Sequence, residues 1–454
     1  MFRRLCTIWR LSKLTLAAAI LWGGAVPASA QSLRQALIST YENSPTIRTA
    51  QAQALQSVEV YNQAVAATKL QVNGSLSNTI DSNTLTNPDG VTSAQIQFSQ
   101  DLFRGSFDGI ASGLRQALAG VSSAQAGYKT QEMGTFSQVV NAYMGVLRDE
   151  GALGVAASGV ATAEQELEAA NARLNAGEGT RTDVALAEAG LAQAQSGLAL
   201  ARSAVETAKA SYQQLVGSAA QGLQDPGFPN LPASQAAALA LAMEQHPGIQ
   251  AAEIGVQAAE DAVVTTRAQH GLSLALTGSV SQAWDSSWND FGGQNHSVQI
   301  TGSIPLFDGG TRKAAIQSAE QGLEIALASL ADQKAAVRAQ VRAAWAGAQA
   351  QISNLNSLIT VTTAQEIVLE ATKAEFDAGT ATFLQVQNAQ QNFAEAQNAY
   401  VQAKSNAVIA AYNVLSAIGG MTTETLGLPV DHFDVLVVLD DSGNRTYIDM
   451  LLGR

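Results

Sequence analysis

The stretch NAGEGTRTDV at residues 175–184 returns as DAGTATFLQV at residues 377–386. At a spacing of 202 residues, Ala176-Gly177 falls on Ala378-Gly379 and Val184 on Val386. Each copy closes one long, proline-free, Ala-rich stretch and opens another. Glycine at such a point reads as a helix C-cap in the left-handed conformation, which makes each copy a turn between two helices.

The repeat extends well beyond the turn. Tyr41-Glu42-Asn43-Ser44-Pro45 answers to Met243-Glu244-Gln245-His246-Pro247, again 202 apart. Leu102-Phe103 answers to Leu306-Phe307 at 204, and Leu215-Val216-Gly217 to Ala417-Ile418-Gly419 at 202. Duplication with small length differences is the economical explanation. It divides the chain into a leader (1–30), a first repeat (31–217), a linker (218–234), a second repeat (235–419) and a tail (420–454). Pro226, Pro229 and Pro232 mark the linker.

Within each repeat the hydrophobic period changes. Residues 32–70 read as helix, with Pro45 separating a short first piece from a longer second one. Over 71–81 Val72, Leu76 and Ile80 alternate with Asn73, Ser75, Ser77 and Thr79; over 92–102 Ala94, Ile96 and Phe98 alternate with Ser93, Gln95, Gln97 and Ser99. The second repeat does the same over 271–283 and 296–306, with Leu274, Leu276 and Val280, then Val298, Ile300 and Ile304, on the apolar side. A period of two with one apolar face predicts four strands. Their length and uncharged polar face suit a transmembrane β-barrel, although a soluble sandwich shows the same alternation. Trp284, Trp288 and Phe291 beside the second strand loop suit an interfacial aromatic girdle or simple loop packing.

The helical run from Phe103 to about Asn175, matched from Phe307 to about Glu375, predicts a rod of roughly 110 Å. The shorter runs 33–70 and 182–216, stacked end to end, match that length and would lie antiparallel to it. The turns at Gly177 and Gly379 then sit at the end opposite the strands. Four strands cannot close a barrel, and open strand edges cannot face lipid. An oligomer must therefore supply the remaining staves; two or three copies would both suffice.

Residues 1–30 carry Arg3, Arg4, Arg10 and Lys13, an apolar run from Leu14 to Trp22 and a small-x-small ending at Ala28-Ser29-Ala30. This is the pattern of a secretory signal peptide cleaved after Ala30. The one cysteine, Cys6, leaves with it, so no disulfide is expected in the exported chain. A net charge of −13 argues against a nucleic-acid partner. The histidines His246, His270, His296 and His432 lack metal-ligand spacing. Asp440-Asp441-Ser442-Gly443-Asn444 reads as a turn rather than a calcium loop, because no Glu follows at the required distance. Neither an enzyme nor a cofactor is expected. The alternative is a periplasmic adaptor or other structural coiled-coil protein of the cell envelope. An adaptor would need a single helical hairpin flanked by β-rich domains.

The ordered set Asn43-Ser44-Pro45, His246-Pro247-Gly248, Leu102-Phe103, PLFDGG (305–310) and the two turns, together with the duplication, resembles the TolC family of outer-membrane efflux ducts. The resemblance implies a membrane α+β fold: a homotrimer whose twelve-stranded β-barrel, set in outer-membrane lipid of a Gram-negative cell, continues as an α-helical periplasmic barrel. It implies a passive duct of a tripartite efflux or type I secretion system, joined by a periplasmic adaptor and an inner-membrane ABC or proton-driven transporter. Gly177, Gly179, Gly379 and Thr380 become the adaptor-docking turns. The family's acidic aperture rings fall here on Gln385 and Asn388, its closing Tyr on Phe376 and its closing Arg on Ala381; Asp183 is retained, and Arg181 is a candidate partner for it or a neighbouring carboxylate, or else a solvated surface residue. The tail, with Val435–Leu439 and Thr446–Leu451 around a DDSGN turn, reads as a hairpin or a mobile end.

Overall fold

Proline decides the first break in each repeat. Pro45 opens α2 (Pro45–Ala67) directly after α1 (Leu33–Asn43), and Pro247 opens α6 (Pro247–Gln269) directly after α5 (Gln235–Gln245). At N1 the missing N–H costs nothing, while the residue before proline is held extended, so one helix must end where the next begins. The computed structural model describes residues 31–81, 89–106, 108–284 and 294–441.

Four antiparallel strands follow: β1 (Gln71–Asp81), β2 (Asp89–Arg104), β3 (Ser273–Trp284) and β4 (Asn295–Ser303), in the order β1-β2-β3-β4. β2 runs past both ends of the expected 92–102, and β4 stops short of 306. Of the aromatic residues beside the second loop, Trp284 ends β3, whereas Trp288 and Phe291 lie outside the described residues. The register keeps the two faces apart. Val72, Phe98, Gly278 and Val298 form one row across the sheet, and Asn73, Gln97, Ser279 and Ser297 form the next on the opposite face. Hydroxyls on that polar face bond across strands, Ser77 to Ser93 at 2.8 Å and Ser279 to Ser297 at 3.0 Å. A bulge between Asp101 and Phe103 shifts the register before the last two pairs, Phe103 with Leu274 and Arg104 with Ser273, and bulges bend and twist a strand. Gly105, at φ +66°, then lies against Ala268, whose carbonyl oxygen a Cβ would meet at 2.0 Å. Only glycine lets the chain leave the sheet there.

The long helices α3 (Gly109–Asn175) and α7 (Thr311–Asp377) each have 67 residues, about 100 Å of rod. α3 starts six residues later than expected from Phe103, because β2 continues to Arg104. α2 and α4 (Arg181–Val216) pack on α3, and α6 and α8 (Phe383–Ala417) pack on α7. Ser39 donates to the Val216 carbonyl at 3.1 Å where α1 meets the end of α4.

The main core lies where these columns meet the linker and the tail. Tyr61, Phe136, Tyr143, Tyr212 and Met421 are buried there. The Tyr143 hydroxyl lies 2.7 Å from the carbonyls of both Gln31 and Gln224, joining the described start of the chain to the linker. α3 also carries the second repeat: Ser137 donates to Ser416, Ser405 of α8 donates to the Met144 carbonyl at 3.2 Å, and Val401 of α8 fills the space at Gly151. α7 is the opposite case. Only Val337, Val341, Ala348 and Leu355 are buried along its length, and Ile325 and Ile367 stand exposed.

Candidate functional site

At the end of the rods away from the sheet, the two repeated turns have the same hydrogen-bonded plan. Gly177 has φ +79° and Gly379 φ +76°, each just past a C-cap. The N–H of Glu178 reaches back to the Arg173 carbonyl at 2.9 Å, and that of Thr380 to the Glu375 carbonyl at 2.9 Å. These backward bonds satisfy carbonyls that the helix end leaves open. Gly179 is held for a different reason: a Cβ there would lie 3.0 Å from the Leu174 nitrogen. At Thr380 the hydroxyl donates to the Glu375 carbonyl at 2.9 Å.

The next helices begin with matching capping boxes. Thr180 accepts from the Asp183 N–H, while Asp183 accepts from the Thr180 N–H at 2.9 Å and hydroxyl at 2.7 Å. Thr382 and Gln385 repeat this, with the Gln385 amide oxygen 2.6 Å from the Thr382 nitrogen. Asp183 and Gln385 are thus counterparts, 202 apart, and both work as N3 acceptors. The cap engages Oδ2 of Asp183, and the structure leaves Arg181 as a solvated surface residue. Arg181 is exposed and makes no ion pair among the described residues. Asn388 is exposed one turn below Gln385.

The tie between the two hairpins joins Phe376, singled out by the sequence, to residues that sequence reasoning did not single out. Arg173 lies 4.4 Å from the Phe376 ring centroid and 3.3 Å from an Asp377 carboxylate oxygen. Phe376 packs against Phe383 with ring centroids 6.0 Å apart, and Phe383 is buried against Ala170 and Ala187 of the other hairpin. Gln387 donates to the Leu186 carbonyl at 3.0 Å, in space left open by Gly190. Farther from the tip, burial pushes the Glu166 carboxyl up, an effect that Lys373 partly offsets. Arg173 is the one basic residue in the last turn of α3. That gave a signal for a C-terminal helix charge, but none for a partner two hundred residues away.

Among the described residues, no group of three or more His, Cys, Asp or Glu side chains is placed to hold a metal ion. No described helix is long and apolar enough to cross a membrane. The arrangement at the tips is a set of helix-end contacts between two hairpins, with a cation, two aromatic rings and amides at its centre.

Comparison with known proteins follows the same division. The outer membrane efflux protein model matches twice, over residues 36–218 and 238–420. The chain is 31% identical over 435 residues to the outer membrane efflux protein BepC of Brucella suis, covering 94% of both chains. It is 24% identical over 407 residues to the outer membrane protein TolC of Vibrio cholerae, covering 87% of this chain and 92% of that one. The crystal structure of VceC, an outer membrane protein from Vibrio cholerae, superposes with a TM-score of 0.71 at 19% identity, over 85% of this chain and 96% of the other. The repeated helix–strand–helix order, the matching turns and these likenesses lead to one conclusion: the chain belongs to the outer membrane efflux protein family and is an outer-membrane exit duct.

Proposed function

We propose that the chain is one third of a passive homotrimeric duct, carrying cargo from an inner-membrane pump to the exterior in tripartite efflux or type I secretion. Three copies of the four-stranded sheet would close a twelve-stranded barrel, apolar face to lipid and Ser/Gln/Thr face to the lumen. A signal peptide cleaved after Ala30 directs the two repeats, 31–217 and 235–419, to the outer membrane. The helical hairpins then project into the periplasm. A periplasmic adaptor docks at Gly177, Gly179, Gly379 and Thr380, and an inner-membrane ABC or proton-driven transporter supplies the energy. The aperture is formed around Phe376, Gln385 and Asn388, with Arg181 and Asp183 on the facing turn.

One observation carries this reading. Leu306 and Phe307, just past the C-terminal end of β4, are each 92% exposed, and β4 is itself a free edge of the sheet. Their first-repeat counterpart Phe103 pairs instead with Leu274 of β3. An open strand edge calls for a covering strand and a bare apolar pair for a covering surface, and a second copy offers β1, the other free edge.

The test is the mass of the detergent-purified protein together with its conductance in planar bilayers. The native chain should be a trimer that conducts, and Leu306→Asp combined with Phe307→Asp should give folded but unassembled chains. A stable, conducting monomer would overturn the architecture.

A further inference from the structure

Of the tail read as a hairpin or a mobile end, Thr446–Leu451 lies outside the described residues. Val435–Asp441 is a short helix, α9, and residues 420–441 lie as a strap across α1, α2 and α3. Its own Met421, Thr423, Leu428, Val435 and Leu439 are buried. Arg34 donates to the Gly427 carbonyl, the Tyr41 hydroxyl bonds to both Asp431 and Phe433, and Gln125 bonds the backbone of Phe433 and Val435. The Tyr128 and Phe433 rings meet edge to face at 4.9 Å.

One of these anchors is a carboxyl group. Glu132 of α3 is 2% exposed and accepts the Thr423 N–H at 3.0 Å. The hydroxyl of the same threonine lies 3.2 Å from Nδ1 of His432. The charged and titratable groups around it can be named element by element. α3 brings Tyr128 and Lys129, α1 brings Tyr41, and the strap brings Glu424, Asp431, His432 and Asp434; α2 presents the neutral Gln51. Lys129, the nearest permanent cation, is drawn outward to exposed Glu424 at 3.3 Å. Among the described residues the carboxylate is therefore left buried with Thr423 alone as its hydrogen-bond partner and no ion pair, an arrangement in which desolvation disfavours the charged form.

We propose that Glu132 is a proton-dependent clasp: protonated, it fastens the strap over α1, α2 and α3, and ionised, it lets the strap loosen. The neutral acid satisfies the site completely, its carbonyl oxygen accepting the Thr423 N–H and its O–H free to donate to the threonine hydroxyl. Desolvation holds the carboxyl above the usual range, outweighing the Thr423 bonds, Lys129 and His432. A raised value in the folded state gives stabilisation that is complete in acid and lost as pH rises through that value. Ionisation exposes the strap's buried residues, while α2 stays packed on α3. This clasp is independent of the duct reading, since it acts within one chain and away from the tips.

Hydrogen exchange of the full chain in detergent, read by mass spectrometry and corrected for intrinsic rates, tests it between about pH 5 and pH 8. Strap amides 421–435 should lose protection as pH rises across that range, on the order of tenfold. Glu132→Gln should keep the strap protected throughout, whereas His432→Asn should retain the native slope. A native strap whose protection is flat or rises with pH would overturn the clasp. So would a slope that survives Glu132→Gln or vanishes in His432→Asn.

Discussion

Arg173, in the last turn of α3, holds its guanidinium 4.4 Å from the Phe376 ring centroid in the last turn of α7 and also reaches Asp377. The two residues belong to different repeats, so the contact joins one hairpin to the other at the tip. Arg173→Ala should therefore favour separated tips. An exposed ion pair and a cation–π contact together are worth about 1 kcal/mol, which limits the gain in open probability to roughly fivefold. Single-channel recording should show more frequent large openings with little change in the unfolding midpoint. Unaltered currents would remove Arg173 from the closure.

The capping boxes predict local stability. Thr180→Ala and Thr382→Ala should each cost about 1 kcal/mol by leaving first-turn N–H groups unpaired. Faster hydrogen exchange in the first turn of α4 or α8 is the signature. Gln385→Asp should be tolerated, because Asp183 already fills the equivalent place in the first repeat.

The aperture positions predict ion response. Gln385 and Asn388 carry no charge, and amide oxygens are weak ligands for a hard cation. Divalent cations on the periplasmic side should block the native channel only weakly. Asp at both positions should create strong block, relieved by a chelator. Because the Gln385 oxygen is engaged by Thr382 at 2.6 Å, Asn388→Asp alone should produce most of the effect. Strong micromolar block of the native protein would show that the constriction lies elsewhere.

His246 predicts an acid-sensitive joint. Its Nδ1 accepts the Gly248 N–H at 3.1 Å as the N-cap of α6, and burial lowers its pKa. A folded value below the unfolded one, which is about 6.5, means that the stabilisation is complete above that pH and is lost as pH falls through the folded value. His246→Asn retains an acceptor and should remove this acid-side loss. Unfolding midpoints measured against pH would show it, and parallel curves for the two proteins would sink the idea.

The docking turns predict a separable defect. Gly177→Val and Gly379→Val force a β-branched residue into the left-handed region at a cost of about 1–2 kcal/mol each. Co-purification with the adaptor should fall while trimer mass is unchanged. Normal capture of the adaptor by the double variant would remove these turns from docking.

Local chemistry was the legible part of this chain. The alternation in 71–81 and 93–100, the break at Pro45 and the left-handed glycines at 177 and 379 are each set by neighbours within a few residues. The boxes Thr180-x-x-Asp183 and Thr382-x-x-Gln385 were equally visible, but a resemblance drew attention to other roles for the same side chains. Contacts between the repeats were not legible: nothing near Arg173 names Phe376, and nothing near Glu132 names Thr423. The run VLVVLDD at 435–441 has the β-branched composition of a strand and forms a helix. Its Val435 and Leu439, one turn apart, are the pair that the core of α1–α3 can bury.

The seating of Val401 against Gly151 gives the hairpins a fulcrum. Between Gly151 and Arg173, α3 runs 22 residues, an arm of about 33 Å. Turning that arm by about 10° carries its tip roughly 6 Å, close to one helical pitch, while the fulcrum itself hardly shifts. The leverage also works in reverse: a small force applied at the tip exerts its full torque at Gly151. Any side chain larger than hydrogen at that position should therefore change the rest angle of the whole arm before it changes anything else.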